Sequence, residues 1–278
     1  MKHRRFAWGV GSGSELRGDV RWLPGPESPG AVIVVHGFKG FKDWGFFPRV
    51  CRELARAGLV AVSFNFSRNG IGDDPLEFTA LERFAANTLS LELDELLGVI
   101  RSVQEGSLPT GRPSRIGLLG HSRGGAQAIL AAAEHEGVDA LATWAAVADF
   151  DRWDDETKAR WRERGRITVK NARTGQEMPL DVTLLEDFEA NRDRLDVQRA
   201  ARRVTVPWLV VHGEDDETVD PEEGRRLAAL GPMADWVPIQ GAGHTFQARH
   251  PFDGAPPELE KALAATLEHF QEHLPTSS

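Results

Sequence analysis

Short apolar runs rich in β-branched residues recur along the chain, separated by stretches with the spacing of helices. "AVIVVHG" (31–37) is continuously apolar up to its last two residues, as expected of a parallel strand covered on both faces. "LVAVSFNF" (59–66), "RIGLLG" (115–120), "ALATWAAV" (140–147), "VPWLVVHG" (206–213) and "DWVPIQG" (235–241) repeat that form. Arg17–Leu23 predicts an earlier strand, and "PGPESPG" after it predicts a turn. Between the strands, helices are predicted over Pro48–Ala57 (ended by Gly58), Thr79–Gln104, "GAQAILAAAEH" (125–135) and Pro257–His273. In the second of these, Leu81, Phe84, Thr88, Leu91, Glu95 and Val99 sample the helix faces.

Strands alternating with helices predict an α/β class, a mostly parallel doubly wound sheet. Asp149–Thr205 breaks the alternation. It opens on the charged "DRWDDETKARWRERGR" (151–166) and continues into a predicted hairpin at "ITVKNARTGQEMPL" (167–180). We expect one domain over 1–278 with 149–205 as a lid inserted between two core strands. No internal repeat or low-complexity tract is present.

Charge and composition narrow the picture. The chain has 278 residues, enough for a sizeable core, and a formal charge of −9. That charge argues against nucleic acid, which wants a basic face, and against anionic membranes. One cysteine, Cys51, rules out an intramolecular disulfide; on its predicted helix it is expected to be a small core residue. "MKHRRFAWGVGSGSEL" lacks the apolar core of a signal peptide, and no apolar run approaches the roughly 20 residues of a membrane span. A cytoplasmic protein is the expectation.

The candidate chemistry begins at Gly120-His121-Ser122-Arg123-Gly124, a G-x-S-x-G between an apolar strand and an Ala-rich helix. A strand-to-helix turn can hold its serine on a sharp corner, with glycines where side chains would collide with neighbouring backbone. A serine hydroxyl needs a base to take its proton, and that base needs an orienting acid. Asp216 follows one later strand in "HGEDDETVD", and His244 follows the next in "GAGHTF". Asp215, Asp149 and Asp151 are competitors for the acid; spacing to Val219 favours Asp216. The oxyanion of acyl transfer needs two donors. They are expected to be the backbone N–H groups of Arg123 and of Phe38, in the loop "HGFKGFKDW", with Lys39 as the competitor for the second.

Together "HGF", "SFNF", "GHSRGG", "HGEDDETV" and "GAGHTF" resemble the α/β-hydrolase superfamily, and within it the bacterial serine esterases of the cinnamoyl/feruloyl-esterase and dienelactone-hydrolase-like branch. The resemblance runs from about Arg17 to the last helix. It implies the α/β-hydrolase fold, a Ser122–Asp216–His244 triad and an oxyanion hole of Phe38 and Arg123. Dienelactone hydrolases proper usually carry a cysteine nucleophile, so Ser122 argues for the esterase side. The expected activity is a serine carboxylesterase acting on small-molecule esters of small or medium acyl groups, with no cofactor or metal. Peptidase or amidase, thioesterase and acyl-transferase chemistry stay open on the same motifs. The peptidase is disfavoured because oligopeptidases of this fold generally carry a large extra domain. A catalytically silent binding module also stays open. Neither nucleic acid nor a membrane is an expected partner, and a homodimer is left open.

Other residues receive plainer assignments. His36 is expected to fix the oxyanion loop, and His121 to pack beneath the serine. His3, His135, His250, His269 and His273 are expected at the surface, without metal-ligand spacing. Glu92, Asp94 and Glu95 are expected on a solvated helix face. Trp153 and Trp161, two helical turns apart, are expected to share a face that either lines an acyl pocket or packs the insertion down. Phe38, Phe41 and Trp44 suggest an apolar pocket wall. Gly70 and Gly72 match a dinucleotide loop too weakly to assign a nucleotide.

Overall fold

The computed structural model describes residues 1–9, 15–25, 29–172 and 174–275. In chain order the elements are β1 (Lys2–Gly9), β2 (Glu15–Trp22), β3 (Ala31–Val35), α1 (Phe47–Arg56), β4 (Val60–Asn65), α2 (Leu81–Ala85), α3 (Leu89–Gln104), β5 (Ile116–His121), α4 (Arg123–Glu134) and β6 (Ala140–Trp144). Then follow α5 (Asp155–Arg164), β7 (Arg166–Lys170), β8 (Glu177–Asp181), α6 (Thr183–Ala190), α7 (Val197–Ala201), β9 (Trp208–Gly213), α8 (Pro221–Leu230), β10 (Ala234–Ile239) and α9 (Pro257–His273).

Eight strands form one sheet in the order β1-β2-β4-β3-β5-β6-β9-β10. All pairs from β4 to β10 are parallel, and β1 and β2 add an antiparallel edge. Strands β3, β5, β6 and β9 are buried along their whole length, because helices cover both faces. Helices α1 and α9 pack on one face; α4, with α3 and α8 beside it, packs on the other. Pro238 sits in β10, the far edge, where a strand with one neighbour tolerates the missing N–H. Among the described residues, no helix is long and apolar enough to cross a membrane.

Two sequence expectations are corrected by local physics, and one strand is added. The helix expected over Thr79–Gln104 is two helices, α2 and α3, because the Thr88 hydroxyl accepts from Leu91 N at 3.3 Å and caps a new start. The N-terminal residues 2–9 form β1, paired with β2 from Lys2 opposite Trp22 to Gly9 opposite Glu15. Its residues are mostly exposed, so no hydrophobic alternation marked it. Trp153 precedes α5, whose cap is Asp154, so the two tryptophans share no helix face. They meet edge to face instead, with ring centroids 5.0 Å apart.

The segment between β6 and β9 holds α5, the β7–β8 hairpin, α6 and α7, and the hairpin forms a two-stranded sheet of its own. The expected "PGPESPG" turn lies partly outside the described residues, as does Arg173 of the hairpin connection. Trp161 is fully buried under the hairpin, donating Nε1–H to the Leu180 carbonyl at 3.0 Å. Cys51 is buried on α1 as expected.

Candidate active site

Strand β5 ends in the middle of the sheet and turns at Ser122 straight into α4. Ser122 takes φ 57° and ψ −123°, a left-handed backbone that L-residues rarely adopt. The turn is tight enough that a Cβ on Gly120 would stand 2.3 Å from the Gly124 carbonyl oxygen. One on Gly124 would stand 2.4 Å from that of His36. These contacts are why glycine occupies both positions around the serine.

Two later loops bring a base and an acid to the same point. His244, after β10, places Nε2 3.1 Å from Ser122 Oγ. Its Nδ1 lies 2.8 Å from Oδ2 of Asp216, which follows β9. Oδ1 of Asp216 accepts the backbone N–H groups of Thr218 at 2.8 Å and Val219 at 2.9 Å. Burial alone would raise the Asp216 carboxyl. The hydrogen bonds from His212, His244 and the Val219 backbone outweigh it and hold the group well below the ordinary carboxylate range.

His212 is the partner that the sequence did not single out. It sits on β9, fully buried, with Nε2 3.0 Å from the Val219 carbonyl and 3.2 Å from Asp216 Oδ2. Its only advance signal was its place beside Gly213 in "HGEDDETV". The competing acids stand elsewhere. Asp215 is exposed; Asp149 accepts from Asp151 N; Asp151 pairs with Lys158 and Arg192.

On the other side of Ser122 runs the loop after β3. A Cβ on Gly37 would lie 3.0 Å from Ser122 Cβ and 3.4 Å from Arg123 N, so loop and serine are in close contact. Among the described residues, no backbone acceptor takes the N–H of Phe38 or Arg123. His36 holds the loop: its Nδ1 is 3.0 Å from the Gly37 carbonyl, and its Nε2 accepts from Phe66 N at 3.3 Å. That pattern requires the neutral ring, and burial lowers its pKa to about 4. His121 is likewise driven down, to about 3, chiefly by burial, and its Nε2 contacts the His244 carbonyl at 2.8 Å. Lys39 has φ 54°, and its ammonium donates to the Lys170 carbonyl at the end of β7, at 3.1 Å.

A cavity of about 240 Å³ opens on Ser122. Phe38 and Leu89 line it together with Phe150, Trp153 and Val169, which come from the segment between β6 and β9. Phe41 and Trp44 do not; they are buried in the core. The expectation of a solvated acidic face also fails for two of its three members. Glu92 and Glu95 are buried, and only Asp94 faces solvent, bonded to Arg194. Glu95 accepts from the Ser67 backbone and hydroxyl, and Glu92 from Asn87 and Gln127. His269, on α9, is buried rather than at the surface. Among the described residues, no group of three or more His, Cys, Asp or Glu side chains is arranged to hold a metal ion.

The sequence model of the Alpha/beta hydrolase family matches residues 32–258. Est1E from Butyrivibrio proteoclasticus, solved with ferulic acid bound, is 22% identical, covers 94% of this chain and 96% of its own, and superposes with a TM-score of 0.71. A dienelactone hydrolase from Anabaena variabilis is 18% identical over 98% of this chain and 100% of its own, with a TM-score of 0.65. An uncharacterized 31.7 kDa protein of Escherichia coli, from the traX–finO intergenic region, is 22% identical over 87% of this chain and 91% of its own. The fold is shared with a ferulic-acid-binding protein and a dienelactone hydrolase, the two kinds of relative that the motifs resemble.

Proposed function

Because the chain belongs to the alpha/beta hydrolase family, we propose that it cleaves carboxylic esters of small or medium acyl groups through an acyl-enzyme on Ser122. The observation that carries this reading is the continuous hydrogen-bonded chain from Ser122 through His244 to Asp216. His244 Nε2 takes the hydroxyl proton as Oγ attacks the ester carbonyl, and Asp216 holds the Nδ1–H tautomer and stabilises the resulting imidazolium. The backbone N–H groups of Phe38 and Arg123 receive the oxyanion. The tetrahedral species collapses, the C–O bond to the alcohol breaks, and His244 protonates the leaving oxygen. Water, deprotonated by His244, then attacks the acyl-enzyme, and collapse returns the proton to Ser122 and releases the acid. In this reading segment 149–205 is the lid that sets acyl preference, since Phe150, Trp153 and Val169 line the cavity.

The test is hydrolysis of a p-nitrophenyl ester series, from acetate to long acyl chains plus a cinnamoyl ester, beside labelling by a fluorophosphonate probe. Turnover and labelling that both vanish in Ser122→Ala are the expected result. Labelling without turnover of any ester moves the reading to amide, thioester or transfer chemistry. Neither labelling nor turnover overturns it in favour of a binding module.

A further inference from the structure

The chain carries a formal charge of −9, yet among the described residues the walls of the cavity beside Ser122 carry Lys39, Arg123 and Arg152 and no aspartate or glutamate. The three cations differ in what already engages them. Arg152 donates to both oxygens of Glu223, at 2.9 and 3.0 Å, and Lys39 donates to the Lys170 carbonyl. Arg123 is different. Its side chain is 11% exposed, and its guanidinium carbon sits over the Phe38 ring, 4.0 Å from the centroid. Phe38 in turn stacks on Phe84. The nearest carboxylate, Glu92 Oε1, is 3.8 Å from Arg123 Nη1, beyond hydrogen-bonding reach. Its two oxygens accept instead from Asn87 at 2.6 Å and Gln127 at 3.2 Å. Glu92 therefore pairs with the charge of Arg123 at ion-pair distance, while its own oxygens are held by Asn87 and Gln127. Among the described residues, the guanidinium forms no hydrogen bond within 3.5 Å. A planar fork seated over an aromatic ring, next in the chain to the nucleophile, suits a carboxylate near the reacting ester.

We propose that this cavity selects esters bearing a carboxylate, and that the Arg123 side chain is the specificity-determining group that binds it; the inference rests on the ester-hydrolase reading above. The carboxylate belongs either to the acyl part, as in the hemi-ester of a dicarboxylic acid, or to the alcohol part. It is a spectator in the chemistry, so the steps above are unchanged.

The experiment compares kcat/KM within two pairs of esters, each corrected for alkaline hydrolysis rates. Monoethyl glutarate against ethyl butyrate places the charge on the acyl side. 4-Acetoxybenzoate against its methyl ester places it on the alcohol side. We expect the anionic member of one pair to be preferred about ten- to a hundredfold, the scale of a charged hydrogen-bonded contact. The preference should collapse toward unity in Arg123→Gln/Glu92→Gln, which removes both charges together, and be partly kept in Arg123→Lys. The ratio is the readout, so a general loss of activity in the variants does not imitate the result. Preference for the neutral member in both pairs overturns the inference while the esterase reading stands. A preference that survives the double variant also overturns it. Turnover of no ester at all overturns both.

Discussion

His212 Nε2 stands 3.2 Å from Asp216 Oδ2, the same oxygen that His244 Nδ1 reaches at 2.8 Å. One carboxylate oxygen thus sits between a buried histidine of β9 and the proposed base. His212 fixes where Asp216 points, and so fixes His244 at one remove. Replacing His212 with phenylalanine should lower kcat about ten- to a hundredfold with little change in KM, the size of one hydrogen bond to a charged group. A kcat–pH profile separates this from a merely structural loss, because weaker support of Asp216 shifts the ionisation of its partner. An unchanged profile together with unchanged kcat removes His212 from the site.

The strained backbone at Ser122 should be measurable as stability. At φ 57° a glycine has no Cβ to crowd the preceding turn. Ser122→Gly should therefore be more stable than Ser122→Ala by about 1–3 kcal/mol, the range for one residue held in such a conformation. Urea unfolding of the two inactive variants makes the comparison without interference from substrate. Equal midpoints would mean that the corner stores no strain.

Gly37 gives a third test. An alanine Cβ there would crowd the His121 carbonyl oxygen at 2.9 Å and Ser122 Cβ at 3.0 Å. The loop must then move away from the serine, and with it the Phe38 N–H. Gly37→Ala should lower kcat about a hundredfold, the cost of displacing one oxyanion donor, with fluorophosphonate labelling slowed in parallel. Wild-type kcat in this variant would point to Lys39 or another group as the donor.

The buried neutral histidines set an acid limit on the fold. His36 and His121 titrate near 4 and 3 when folded, against an ordinary value near 6.5. Below pH 6.5 the unfolded chain therefore binds more protons at these two sites than the folded one, and their contribution to stability falls as pH drops from 6.5 toward 4. Each such group contributes up to about 1.4 kcal/mol per pH unit in that window. The Asp216 carboxylate, held low, keeps its contribution until the pH falls below the ordinary carboxylate range, so it does not act in the same window. Unfolding free energy should decline between pH 6.5 and 4.5, and the slope should be shallower in His121→Asn. A flat dependence, or an identical slope in the variant, contradicts neutral burial.

Much of the site was legible because each part had a local cause. Gly120 and Gly124 flank Ser122 because backbone atoms lie within 2.5 Å of where a Cβ would be, and that demand is written in the residues themselves. Asp216 and His244 were found because each lies just past an apolar run that reads as a strand, the buried β9 and the edge strand β10. His212 and the Glu92 network were not found. A histidine inside an apolar strand, and a glutamate on an amphipathic helix, look the same whether they meet water or a buried partner. The break before α3 was missed for a related reason: Thr88 fits a helix interior by periodicity, and only its hydroxyl bond to Leu91 N makes it a cap.

Hydrophobic patterning, turn chemistry and glycine placement are local, and they already specified the parallel strands, helices α1, α4 and α9 and the region of α3, and the three residues that meet at the strand ends. The contacts between loops distant in the chain are not local. That Phe38 lies under the Arg123 guanidinium, that Glu92 stands near it with its oxygens taken, and that Val169 and Trp153 line the cavity depend on how the sheet twists and how the segment between β6 and β9 folds back. Burial turns those side chains from surface charges into a cation held at the edge of an apolar cavity, and burial is a property of the assembled fold.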